Sequence, residues 1–407
     1  MAHDNLPTTT NSFTYRVDLG QLDEWVEDGA GVLGDLQEQA RAPREIRVMR
    51  TFGTQEALAL AGGLPLKKLR QFLEETGEKP VGNERPGSTR VGRITIEQLH
   101  KFMEWAGTLP RRPAGKPAIT LVVTNYKGGA GKSQLTLNLS HYFGLRGWRV
   151  LAVDMDPQAT LSRCFGLSPE ATGENETMAP VYTAFADNRP IPAPQLTDTH
   201  FPNLKIVPSS LSMQEPDYHL GRAFLQAEPG KLPRFWAPLA DSLAQVRDQF
   251  DIVIIDTAPA YNFTQMSAIW AADGLIFPMP TAMSDFAATF DYLTMLSSTM
   301  RTLADREGIA KSWNPGVLIH SRASNNAVGM NVRSLSSTIF GGHRLDEVIA
   351  DSSAISNALG QFKSIQEATS STTGSRGLKT ARESVNAVGA HMEVILRQAW
   401  DEMGTGT

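Results

Sequence analysis

The sequence predicts an α/β protein: a doubly wound, mostly parallel sheet, preceded by a small α-rich domain and an N-terminal helix. Three observations carry this. Six short apolar runs recur after residue 117, most of them separated by helical stretches. Near-continuous apolar strands alternating with helices mark a parallel sheet covered on both faces. A Gly-rich turn, "NYKGGAGKSQ" (125–134), follows the first run and opens a helix. Ahead of it lies a basic block with short helical periodicities. A chain of 407 residues has room for two or three domains.

Composition is that of an ordinary globular protein, 41% hydrophobic and 20% charged. No apolar run approaches the roughly 20 residues of a membrane helix. The start of the chain has no basic segment followed by an apolar one, so no secretory signal is expected. The single cysteine, Cys164, allows no intrachain disulfide. It reads as a packed small hydrophobe in a reducing cytoplasm. The eight histidines show no zinc-ligand spacing. The net charge of -5 is uneven: residues 1–40 hold one Arg and eight Asp/Glu, and residues 41–112 hold fourteen Lys/Arg and eight Glu. A basic block in an acidic protein points to a nucleic-acid contact confined to one region.

The first unit, 1–42, contains a helix over 20–41 with Leu22, Trp25, Val26, Leu33 and Leu36 roughly on one face. That face suits packing on the body or on a second copy. The second unit is 43–107. "TQEALALAG" reads as a short helix with Thr54 as N-cap and Gly62–Gly63 as the stop. "LPLKKLRQFLEET" reads as a second, with Pro65 at its start and Leu66, Leu69, Phe72 and Leu73 inward. Two short helices joined by a Gly turn have the helix-turn-helix form. The basic, Gly/Pro-rich stretch that follows reads as a hairpin wing, and a last helix turns Ile96, Leu99, Phe102 and Met103 to one side. Lys67, Lys68 and Arg70 stand at the start of the recognition helix, the part that enters a major groove. Arg85, Arg90 and Arg93 would contact phosphates or the minor groove from the wing. Residues 108–117, within the Pro-rich "GTLPRRPAGKP", form a linker.

The third unit is 118–407. Its strands are expected in "AITLVVTN", "WRVLAVDMDP", "NLKIVPSS", "FDIVIIDTAP", "GLIFPMP" and "WNPGVLIHSR". Residues 168–200, rich in Pro, Thr and Asp, read as an insertion over the sheet. A strand, a Gly-rich turn, GKS and a helix describe a phosphate-binding P-loop. Gly128, Gly129 and Gly131 let backbone N–H groups approach phosphates, and the helix N-terminus adds a positive field. Lys132 would neutralise β/γ-phosphate charge and Ser133 would ligate Mg²⁺. Asp256 ends the strand "DIVIID", where a carboxylate can hold Mg²⁺ through water.

"KGGAGKS", from Lys127 through Ala130 to Ser133, resembles the deviant Walker A loop of the ParA/MinD class of P-loop ATPases. "DMDPQ" resembles the second motif of that class, and "IIDTAP" its Walker B. The resemblance covers roughly 118–400. It implies ATP/ADP and Mg²⁺ as cofactors, with residues 127–134 including Gln134 around the nucleotide. It makes Lys127 the signature lysine, reaching across a nucleotide-sandwich homodimer to the partner's phosphates. It gives Asp156 the attacking water, leaves Asp154 to support the loop and metal, and makes Thr257 and Pro259 switch residues. The adenine pocket is expected around "LIHSRASN".

The 44–107 unit resembles the winged helix-turn-helix of the longer, plasmid-type ParA proteins, including the RepA members of repABC replicons. The resemblance implies operator binding, autorepression, a ParB-type partner that stimulates slow ATP hydrolysis, and a nucleoid-associated cytoplasmic protein that segregates DNA. Nonspecific DNA contacts would come from late cations among Arg322, Arg333, Arg344, Lys363, Arg376, Lys379 and Arg382. The family often has an arginine near "ADSSAISNAL", where this chain has serines. Two other readings stay open: an ATP-switched transcription regulator, and a MinD-like membrane-cycling ATPase. The second needs a basic amphipathic C-terminal helix, and the chain's last helical stretch finishes acidic. A nitrogenase-reductase-type electron carrier would need paired cysteines.

Overall fold

The computed structural model describes residue 20 and residues 47–82, 91–227, 233–308, 310–369 and 375–403. The expected helix at 20–41, Arg85 and Arg90 lie outside the described residues. Residues 47–407 form one compact unit.

Three short helices come first: α1 (Thr54–Leu60), α2 (Leu66–Thr76) and α3 (Ile96–Trp105). Thr54 was expected to cap α1, but Gly53 occupies the cap position and no side chain caps it. The Thr54 hydroxyl instead donates to Val91 O at 3.5 Å. Pro65 is the N-cap of α2, and Gly77 ends it in the left-handed conformation. α3 starts on a capping box, Thr95 with Gln98. Leu69, Phe72, Ile96, Leu99, Phe102 and Met103 are all buried, as their periodicity predicts. Isolated antiparallel bridges pair Phe52 with Ile94 and Val81 with Arg93.

The Pro-rich stretch at 108–117 is packed against the body. Arg111 Nη1 donates to Gly147 O at 3.0 Å. The Arg112 N–H donates to Asp251 Oδ1 at 3.3 Å, and the indole N–H of Trp400 to Pro117 O at 3.0 Å.

Next come β1 (Ile119–Val123), α4 (Lys132–Leu145), β2 (Val150–Asp154), α5 (Thr160–Cys164), α6 (Ala179–Ala186), β3 (Thr197–Asp198) and β4 (Leu204–Val207). They are followed by α7 (Glu215–Gln226), α8 (Ala237–Ala244), β5 (Ile252–Asp256), α9 (Phe263–Ala271), β6 (Gly274–Pro278), α10 (Met283–Glu307) and β7 (Gly316–Ile319). The chain closes with α11 (Ala327–Phe340), α12 (Ser353–Gly360) and α13 (Ser375–Glu402). The seven-stranded sheet has the order β3-β4-β2-β5-β1-β6-β7. All pairs are parallel except β3 with β4. The six expected strands are present. The edge strand β3 was not expected, because two polar residues carry no periodicity. The insertion at 168–200 holds the helix α6, with Val181 and Tyr182 buried.

The sheet divides two apolar cores, and its period of two decides which side chain enters which. Ile119, Leu121, Val123, Ile252 and Ile254 join α1–α3, α4 and α13 on one face. Val122, Val253 and Ile255 join α6–α10 on the other. The helical module 52–105 therefore shares a core with the sheet. In α13, Leu378, Ala381, Val385, Val388, Met392, Leu396 and Trp400 are buried at helical spacing. That apolar stripe faces the protein interior. Among the described residues no helix is long and apolar enough to cross a membrane.

Trp400 stacks on Trp148 with ring centroids 5.5 Å apart. Both are fully buried. We expect Trp400→Ala to lower unfolding free energy by about 3–5 kcal/mol, read from urea denaturation. A loss under about 1 kcal/mol would mean that α13 is not part of the cooperative core.

Candidate functional site

The site sits beyond the carboxyl ends of β1, β2 and β5, where parallel α/β sheets place their ligands. Strand register does the positioning. Val123 pairs with Asp256, and Asp256 with Asp154. The P-loop, the second motif and the Walker B carboxylate thus emerge side by side from three adjacent strands.

The loop 125–131 turns because Gly129 (φ +78) and Gly131 (φ +89) adopt conformations that side chains avoid. A Cβ on Gly131 would also come within 3.3 Å of the Ser321 side chain. Ser321 fastens the loop from outside, its hydroxyl donating to Ala130 O at 2.7 Å. α4 begins at Lys132, so free N–H groups of its first turn face the cavity.

That cavity holds about 470 Å³ and is lined by Gly129, Gly131, Lys132, Ser133, Gln134 and Asp156 at one end. Pro259 also lines it. The other end is formed by Arg322 and by Asp351, Ser352, Ile355, Ser356 and Leu359. Of the expected pocket "LIHSRASN", Arg322 reaches the cavity and Ser321 braces the loop, whereas Leu318, Ile319 and His320 are buried. The segment "ADSSAISNAL" supplies the rest. In this segment, where the family often has an arginine, Ser352 and Ser356 line the cavity.

Lys132 is buried, and its Nζ donates to Lys127 O at 3.3 Å. Burial pulls the ammonium down from its ordinary value, while Asp256 and Asp156 push it back. Asp154 and Asp256 are fully buried. Asp154 accepts from the Ser162 N–H at 2.9 Å, the Ser162 hydroxyl at 2.7 Å and the Asp156 N–H at 3.1 Å. Burial raises its carboxyl to about 7 despite these bonds. Its bonds make it a support for the second motif. Burial, then Asp154, push Asp256 well above the usual carboxylate range. Asp256 Oδ1 accepts from the Thr136 hydroxyl at 3.4 Å, and the nearby Ser133 hydroxyl partly offsets the rise. Its Oδ2, though buried, has no partner. A buried acceptor left open beside a serine hydroxyl fits a hard oxygen-seeking cation such as Mg²⁺. Asp156 lies in the cavity, its Oδ1 accepting from the Gln158 N–H at 2.9 Å. Thr257 is buried, its hydroxyl donating to Val123 O at 3.0 Å.

Lys127 does not line the cavity. Its Nζ pairs with Asp285 and lies 3.3 Å from Ser284 Oγ, both at the start of α10. Gly128 has open space around it. Lys67, Lys68 and Arg70 stand exposed in the first turns of α2, and Lys68 Nζ lies 5.4 Å from the Trp105 ring centroid. Arg93 is exposed but its guanidinium bonds to Thr51.

A cluster that sequence spacing missed is His141, His200 and Glu367, whose ligand atoms lie within 4.8 Å of one another. The three residues are 59 and 167 positions apart in the chain, so no motif could reveal them. Arg47 Nε donates to Glu367 Oε1 at 2.8 Å and already neutralises the carboxylate. A divalent ion there would leave an unbalanced buried charge.

A carboxyl whose folded pKa is raised holds its proton more tightly when folded. For Asp154 stability therefore falls as pH rises from 3.8 to about 7. In metal-free, nucleotide-free protein, Asp154→Asn should remove this slope. Parallel urea-midpoint profiles for wild type and variant between those pH values would refute it.

Residues 118–307 match the family profile described as an AAA domain. A "Putative replication protein A" from Rhizobium rhizogenes is 30% identical over 376 residues, covering 88% of this chain and 89% of that protein. "Protein SopA" from Escherichia coli (strain K12) is 29% identical over 243 residues, 59% of this chain and 60% of it. A solved structure titled "Partition Protein" superposes with a TM-score of 0.63 at 19% identity, covering 90% of this chain and 99% of that one. The long match to the replication protein agrees with the P-loop, the paired strand-end aspartates and the helices that precede them. The chain belongs to the ParA/SopA family of plasmid partition ATPases.

Proposed function

We propose that the protein is an ATP-dependent DNA-partition ATPase that dimerises on ATP, binds DNA, and hydrolyses ATP slowly unless a ParB-type partner stimulates it. One observation supports this most: the two lysines of the loop point in different directions. Lys132 faces its own cavity, and Lys127 is turned away toward Asp285. A second cation that serves no group in its own cavity suits a role in trans.

In this reading residues 128–134 hold the subunit's own phosphates, Lys127 reaches those of the partner, and Ser133 and Asp256 hold Mg²⁺. Bound Mg²⁺ would supply charge neutralisation between the β- and γ-phosphates. Lys132 screens the same oxygens from the protein side. Asp156 orients the attacking water, and Asp154 keeps the second motif in place. Thr257 and Pro259 report the γ-phosphate to the dimer face. Lys127 leaves Asp285 and crosses to the partner subunit, acting as an arginine finger does. ATP binding and dimerisation then form one linked equilibrium. Arg322 and the 351–359 segment enclose the base.

The helical module 52–105 acts as the operator-binding unit through Lys67, Lys68 and Arg70, aided by Arg85, Arg90 and Arg93 of the wing, and so represses the protein's own operon. We place it in the cytoplasm, on the nucleoid.

The test is ATP turnover and DNA binding of wild type beside three variants, with and without partner and DNA. Lys132→Ala should lose nucleotide-dependent function. Asp156→Ala should bind ATP and DNA without turnover. Lys127→Ala should lose on the order of 10³-fold of the stimulated rate, as removal of an arginine finger does. A normal stimulated rate in that variant would end the trans-lysine reading. Absence of turnover in wild type under every condition would favour the ATP-switched regulator.

A further inference from the structure

The turn 361–368, just after α12, touches three parts of the molecule. Toward the helical module, Arg47 Nε donates to Glu367 Oε1 at 2.8 Å and Arg50 Nε to Gln366 O at 2.6 Å. Arg50 also donates to Glu56 of α1 at 2.9 Å. Toward the loop helix, His141 shares a 2.7 Å hydrogen bond with Ser364 Oγ, and the Ile365 N–H donates to Asn138 Oδ1 at 3.3 Å. Both partners belong to α4, the helix that begins at Lys132. Toward the C-terminus, Arg382 of α13 donates to Ala368 O at 2.8 Å.

The turn is also strained. Phe362 has φ +52, a conformation non-glycine residues hold only where the surroundings impose it. Glu367 sits at the centre. Its Oε2 accepts from the Ser364 N–H at 2.8 Å, closing the turn on itself, while Arg47 holds Oε1.

We infer that residues 361–368 couple occupancy of the cavity to the helical module, with Glu367 as the positioning residue of the coupling. The cavity wall on this side is α12, through Ile355, Ser356 and Leu359, together with its N-cap Ser352. A ligand that orders α12 orders the turn that continues it. The turn's carbonyls and Glu367 are the acceptors on which Arg47 and Arg50 rest. Linkage makes the effect reciprocal: whatever fixes the module changes nucleotide affinity by the same factor. The inference rests on reading the cavity as a nucleotide site, and does not require that the module bind DNA.

The test uses the full chain: hydrogen–deuterium exchange of amides in 54–76 with and without ADP and Mg²⁺, beside calorimetric ADP binding. ADP should slow exchange there about fivefold or more in wild type, the lower end of ordinary coupling. Combined Arg47→Lys and Arg50→Lys should still bind ADP, with affinity changed by no more than the coupling factor, and lose this response. Lysine keeps the charge but cannot repeat the forked contacts. Arg382→Lys loosens the turn at Ile365 O and Ala368 O, beside the Arg50–Glu56 pair, and should weaken the response too. It stands as the second variant if the double one does not fold. ADP binding without slowed exchange in wild type, or a full response in the folded variants, overturns the inference alone. No ADP binding in wild type overturns the nucleotide reading and the inference with it.

Discussion

The placement of β5 between β1 and β2 is the constraint on which the rest depends. Its register sets Asp256 level with Val123 on one side and Asp154 on the other. Three strand ends therefore deliver three motifs to one point. A slip of one residue would turn Asp256 toward a core and Val123 or Ile255 toward the phosphate loop. The apolar alternation on the two faces holds the register, because a slip would exchange the two cores' side chains.

The same packing creates the tension in the site. Two carboxylates and one ammonium stand in a dry place, and burial opposes the charged form of each. Asp154 is compensated by Ser162 and the Asp156 N–H; Asp256 keeps an oxygen free. Such an arrangement suits a site completed by a polyphosphate and a cation, whose charges offset what the fold leaves unbalanced. The left-handed glycines and the bond from Ser321 hold the loop open for them.

The N-terminal helices belong to this design and are not appended to it. They share the core of the α4–α13 face, and Arg47, Arg50, Arg111 and Arg112 tie the chain on either side of them to the body. The shift in composition at 108–117 marks where helices give way to strands. It does not mark a free hinge, because Arg111 and Arg112 there donate to Gly147 O and Asp251, and Pro117 O accepts from the Trp400 indole.

Local patterns were legible in the sequence. Apolar runs, the glycines at 128, 129 and 131, GKS and the strand-end aspartates are written in consecutive residues, and their spacing alone determined the α/β class and the P-loop. The helix faces of α2 and α3 were readable for the same reason. The cap of α1 was not, since Gly53 and Thr54 both suit it and the hydroxyl found Val91 instead. Tertiary structure alone decided what depends on residues far apart. It set the far end of the cavity from Arg322 and 351–359, the pairing of Lys127 with Asp285, and the gathering of His141, His200 and Glu367. These contacts join segments from 29 to 226 positions apart, and no local propensity encodes which of several exposed polar groups a folded neighbour will meet.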